Sequence, residues 1–132
     1  LKKEQKHYHF DWTLIENKSL RFENLVAVQL LGQVHLAQDT LGEKFELCYF
    51  RDKDKREVDF VITHNLKPVL FIECKQSDTQ PSPHLIYLKK KFEKVPSYQI
   101  SLEGTKDFIN RDKIRIMPGR IFLSKSFQDW FV

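Results

Sequence analysis

Three patterns predict an α/β fold with a mixed central sheet flanked by helices. Residues 20–38 carry apolar side chains at helical period. Three strand-length apolar runs follow, at 44–50, 56–63 and 69–75, parted by short polar turns. A second helical stretch at 83–94 then precedes a fourth strand at 97–102. The order is helix, three-strand antiparallel meander, helix, strand. A strand that returns after a helix needs a crossover, right-handed by default, and the pairing it makes is parallel.

The first helix is justified by its stripe. Glu23, Ala27, Leu30, Val34 and Ala37 are spaced by four, three, four and three, which keeps them on one face. Phe22, Leu25, Val26 and Gln29 lie beside it, so the helix is broad enough in apolar surface to pack on a sheet. Ser19, with Glu23 soon after, resembles a helix entrance, and Gly42 closes the segment. Glu23 is an unusual head for an inward stripe; a carboxylate favoured by the helix dipole is the plain explanation.

The charged stretch 51–55 and the stretch 65–68 read as turns within the meander. Residues 78–83 form a polar loop bounded by prolines, and Leu85, Leu88 and Phe92 give the second helix its apolar face. Residues 114–123 read as one more extended piece. Residues 7–12 are aromatic-rich and suit a strand or an extended arm. Phe127, Trp130 and Phe131 are expected to dock on the body or on a partner, a second copy in a homodimer included.

Composition fits one domain over residues 1–132. The chain is 41% hydrophobic and 13% aromatic, with 11 Phe, so it buries enough surface to offset ordering entropy. It has no apolar run of about 18 residues, which argues against a membrane span and a membrane partner. Two cysteines, Cys48 and Cys74, form no CxxC pair and sit in strand-like runs, so they read as reduced, small hydrophobes in a cytoplasmic protein. Net charge is +4, which permits a polyanion partner without requiring one. Lys89, Lys90 and Lys91 are candidate nucleic-acid contacts, although such a run is more often a solvated helix face. Leu1 is not an initiator methionine, and the chain is expected to be part of a longer protein.

Chemistry concentrates where charge interrupts apolar strands: Glu57-Val58-Asp59 and Glu73-Cys74-Lys75. Strand alternation puts Glu73 and Lys75 on one face and Ile72 and Cys74 on the other. The same rule groups Glu57 with Asp59, and Val58 with Phe60 and Ile62. Antiparallel neighbours then bring Asp59 beside Glu73 and Lys75. Buried carboxylates must be paired, solvated or metal-bound. Two carboxylates suit Mg²⁺ or Mn²⁺, which keeps waters and phosphate oxygens as further ligands. A lysine beside them can offset charge developing on a phosphate. A salt-bridged strand end is the plainer reading of Glu73-X-Lys75.

The arrangement resembles the PD-(D/E)XK nuclease superfamily: Asp59 matches its aspartate, Glu73-Cys74-Lys75 its (D/E)XK triplet, and Glu23 the acidic residue of its first helix. Val58 stands where that pattern often has Pro. The resemblance implies a restriction-endonuclease-like core, with Asp59, Glu73 and the Cys74 carbonyl holding the metal. It further implies Lys75 activating water, Glu23 holding a metal-bound water or second metal, and DNA as substrate. A closer resemblance is to a domain of unknown function at the C-terminus of bacterial and archaeal AAA-type ATPases. It is carried by Tyr8-His-Phe-Asp-Trp, Arg21-Phe-Glu-Asn-Leu-Val, Tyr49-Phe-Arg-Asp, Glu57-Val-Asp-Phe-Val-Ile and Ile72-Glu-Cys-Lys. It implies an upstream ATPase, and with it a catalytically silent DNA-binding, regulatory or oligomerisation module of that ATPase as the alternative to a nuclease.

Overall fold

The computed structural model describes residues 3–4, 18–77 and 80–131; the aromatic-rich segment 7–12 lies outside them. Their elements are β1 (Lys3–Glu4), α1 (Lys18–Leu41), β2 (Phe45–Arg51), β3 (Glu57–His64), β4 (Lys67–Lys75), α2 (Pro83–Lys91), β5 (Ser97–Ser101), β6 (Phe108–Ile109), β7 (Arg115–Pro118) and α3 (Gly119–Ser124), then a 3₁₀ turn at Phe127–Phe131. The strands make one sheet in the order β1-β2-β3-β4-β5-β7-β6. β1 through β4 are antiparallel, β4, β5 and β7 run parallel, and β6 returns antiparallel on β7. The mixed α/β sheet flanked by helices is the predicted architecture.

α1 forms because its apolar residues hold helical register for its whole length. Phe22, Val26, Ala27, Leu30, Val34 and Ala37 are buried on one sheet face against Phe60, Ile62, Leu70, Ile72 and Ile100. Each large side chain buried there is worth roughly 1.5–3 kcal/mol. The helix stops where Gly42 takes φ +67, with its N–H donating to the Gln38 carbonyl at 2.9 Å. α2 covers the opposite face, setting Leu85 and Leu88 against Phe50, Val58, Val61, Phe71, Ile114 and Ile116. Its start is fixed by Ser82, whose hydroxyl accepts from the His84 N–H, and by Pro83 in the first turn.

Two features depart from the sequence reading. Residues 119–123, expected to be extended, lie in α3. Pro118 ends β7 at φ −63, and with no N–H to satisfy it suits a helix entrance. The two-residue strands β1 and β6 are too short to show any periodicity. The C-terminal aromatics dock on the body, the first of the two expected placements. Trp130 is buried, stacks on Phe122 at 4.7 Å and donates its indole N–H to the Phe122 carbonyl. The Tyr98 hydroxyl donates to the Trp130 carbonyl, and Phe127 packs edge-on to Phe45.

Candidate active site

The site begins with an irregularity in β3. Cys48 pairs with Val61 and Phe50 with Val58, so Tyr49 alone faces two residues, Asp59 and Phe60. Such a bulge breaks the alternation and redirects a side chain. Val58 and Val61 therefore share the α2 face, while Phe60 and Ile62 share the α1 face. The expected grouping of Val58 with Phe60 and Ile62 is thus corrected. Asp59 and Glu57 also part: Glu57 is exposed and pairs with Arg51 at 3.3 Å, whereas Asp59 is half-buried.

Regular pairing of β3 with β4 runs to Phe60 opposite Ile72. At the next position the carboxylates take over the hydrogen bonding. The Asp59 N–H donates to Glu73 Oε1 at 3.1 Å, and the Cys74 N–H donates to Asp59 Oδ2 at 2.9 Å. Glu73 is only 7% exposed, so this bond offsets part of its desolvation.

Asp59, Glu73, Cys74, Lys75 and Gln76 line one cavity of about 250 Å³ with Ser19, Phe22 and Glu23 from the first turns of α1. The four residues singled out for catalysis, from three separate elements, are thereby brought together. Glu23 lies in the second turn of α1, past the first turn where the helix dipole acts, so the dipole does not account for its place. The Ser19 hydroxyl donates to Gln76 Oε1 at 3.3 Å and ties that helix end to the residue after β4. Gly119 packs beneath: a side chain there would meet the Phe22 ring at 2.6 Å.

The donor set is hard oxygen: two carboxylates within one hydrogen-bonded unit, with the Cys74 carbonyl adjacent in sequence. A carboxylate offers about four acceptor sites, so accepting an N–H bond and holding a cation are compatible. Among the described residues, no group of three or more His, Cys, Asp or Glu is placed to hold a metal. Glu23 therefore shares the cavity without joining Asp59 and Glu73 in one ligand cluster. A two-carboxylate site still fits Mg²⁺, which takes one or two carboxylates and keeps its waters.

The lysine run behaves differently. Lys89 donates to the Glu93 and Val95 carbonyls at 2.7 and 2.9 Å, closing the end of α2, while Lys90 and Lys91 are exposed. Lys91 lies 5.9 Å from the Tyr87 ring centre. This run is near the amino end of β5, whereas Lys75 is level with Ser101 at its carboxyl end. The lysines and the carboxylate cavity thus occupy opposite ends of the parallel strands.

Sequence reasoning missed Ser19 as a cavity residue, Gln76, and Gln99. Gln99, 2% exposed and in register with Glu73, accepts from the Ser82 N–H at 3.0 Å and donates to the Gln80 carbonyl, fixing the chain between β4 and α2. An amide in the middle of the predicted strand at 97–102 was the available signal. Neither cysteine is in a disulfide, both are half-buried, and no described helix is long and apolar enough to cross a membrane.

Fold and cavity define an α/β domain with a carboxylate–lysine cluster at the edge between two central strands. Residues 20–122 match the family described as a domain of unknown function, DUF4143, and the chain belongs to that family. Comparison with curated proteins and with solved structures found no match.

Proposed function

We propose that the domain hydrolyses phosphodiester bonds of DNA with Mg²⁺ or Mn²⁺. The observation that carries this reading is the shared cavity of Glu23, Asp59, Glu73 and Lys75. Asp59 and Glu73, with the Cys74 carbonyl, would hold the ion, which when bound supplies Lewis acidity and a more acidic water. Lys75 has no ion-pair partner among the described residues, so its ammonium is available to a phosphate oxygen or a water. Glu23 can orient a second water from the helix side. Domains of this family commonly accompany AAA-type ATPases, and such an ATPase, in the cytoplasm, is the partner this reading adds. Purified domain with Mn²⁺ or Mg²⁺ should cleave linear, nicked or branched DNA, and Lys75→Ala should abolish cleavage. Cleavage that survives Lys75→Ala removes Lys75 from the chemistry.

The crosswise carboxylate bonds also favour a second reading, a catalytically silent DNA-binding or regulatory module, because those bonds give Asp59 and Glu73 a structural role. Calorimetric titration with Mn²⁺ separates the two. Binding lost in Asp59→Asn supports the nuclease; no binding to either protein supports the module.

A further inference from the structure

At the opposite end of the parallel strands, a cleft of about 280 Å³ separates the last turn of α2 from the turn joining β6 to β7. It is lined by Lys89, Lys90 and Glu93 on one side and by Arg111, Asp112 and Lys113 on the other. Four cations face two carboxylates, an excess of two positive charges. Among the described residues, Lys90, Arg111 and Lys113 have no ion-pair partner.

The cleft is held by structure on both sides. Asn110 builds the turn: its Oδ1 accepts from the Asp112 and Ile114 N–H groups at 2.9 and 3.0 Å. Its backbone N–H donates to the Ile114 carbonyl, and its carbonyl accepts from the Lys113 N–H. That turn holds Lys113 at φ 62, a left-handed conformation normally given to Gly or Asn. The turn thereby fixes the backbone of Lys113 beside the cleft it lines. Opposite, the Lys89 ammonium is pinned by the Glu93 and Val95 carbonyls. Burial, and then the charge of Lys113, lower its pKa, so these two ammoniums repel each other across the cleft.

We propose that this cleft is an anion site for a phosphate monoester, the dianion that matches the excess of two positive charges. A phosphate has oxygens enough to meet Lys89, Lys90, Arg111 and Lys113 together, and its charge would relieve the repulsion between the lysines. Five residues of β5 at roughly 3.3 Å each set the cleft on the order of 15 Å from the carboxylate cavity. The site is therefore separate from the one proposed for hydrolysis and does not depend on it.

The test titrates the whole chain with inorganic phosphate, followed by amide NMR. Phosphate should shift the amides of residues 110–114. Arg111→Glu should weaken binding at least tenfold, while Lys75→Ala should leave it unchanged. Lys113→Asn keeps the left-handed turn and removes the charge, so its loss of affinity cannot be ascribed to misfolding. The same short DNA strand with a 5′-phosphate and with a 5′-hydroxyl identifies the source. Tighter binding of the phosphorylated strand assigns the site to strand ends, and equal binding assigns it to free phosphate esters. Phosphate affinity unchanged by Arg111→Glu and Lys113→Asn, or abolished by Lys75→Ala, overturns the proposal.

Discussion

Asp59 and Glu73 are bonded crosswise: Glu73 accepts the Asp59 N–H at 3.1 Å, and Asp59 accepts the Cys74 N–H at 2.9 Å. Each carboxylate stands in for a backbone carbonyl at the point where regular strand pairing stops. Structural and chemical roles can therefore be separated by the choice of substitution. Asp59→Asn keeps an oxygen for the Cys74 N–H and should retain nearly all stability. Asp59→Ala leaves that N–H without its acceptor and should cost about 1–3 kcal/mol. Urea denaturation of the two variants measures the difference. Equal stabilities would mean that water replaces the carboxylate at no cost.

Gly119 sets how closely α3 approaches α1. A Cβ at this position would lie 2.6 and 2.7 Å from two Phe22 ring atoms and 3.2 Å from the Ser101 carbonyl oxygen. Gly119→Ala should therefore destabilise by about 1–3 kcal/mol, the usual range for overpacking. Phe22→Leu shortens the opposing side chain and should recover part of the loss in the double variant. A double-mutant cycle by thermal melting gives the coupling; strict additivity would place the clash elsewhere. Because Phe22 lines the carboxylate cavity beside Glu23, Gly119→Ala should also weaken any metal-dependent activity.

Asp52 organises the turn between β2 and β3. Its carboxylate accepts from the Asp54 and Arg56 N–H groups and from the Arg56 guanidinium at 2.8 Å. Burial pushes its pKa up, but the bonds from Arg56 outweigh it and hold the carboxyl below its ordinary value. A carboxyl depressed in the folded state stabilises above its unfolded pKa of about 4 and loses that contribution as pH falls through the folded value. Asp52→Asn should thus be less stable than wild type at neutral pH, with the gap closing in acid. Stability curves at several pH values check this, and a gap independent of pH would argue against the ionised form as the cause.

What could be read in advance follows from how strong each local signal is. The five large elements carry long periodic patterns, and their order predicts the parallel return of β5. Glu23, Asp59, Glu73 and Lys75 were legible because charge inside apolar runs is costly and therefore conspicuous. The bulge at Asp59 and Phe60 was not, since one inserted residue leaves the composition unchanged and only reverses the alternation. The capping role of Lys89 was hidden for a related reason. A lysine run advertises charge, while the capping of Glu93 and Val95 by one of its members depends on how the chain turns after α2. Ser19 and Gln76 meet across a sequence gap that no local pattern spans.

The carboxylate cavity also predicts how metal should act on stability. Glu23, Asp59 and Glu73 set three negative charges against the one ammonium of Lys75 in a shared space. An ion bound by Asp59 and Glu73 in the folded state, and not by the unfolded chain, stabilises by mass action. At ten times its Kd the gain is about 1.4 kcal/mol. For a domain of this size that corresponds to a rise in Tm on the order of 5 °C. Glu73→Gln keeps an oxygen for the Asp59 N–H, so the fold should persist, but it removes one of the two charges that attract the ion. The Mg²⁺-induced shift, measured against EDTA, should therefore shrink in both Glu73→Gln and Asp59→Asn. Without metal, Glu73→Gln should melt at or above the wild-type temperature, because a buried charge is removed while its hydrogen bond remains. Equal metal-induced shifts in all three proteins would move the metal away from this cluster and take the nuclease reading with it.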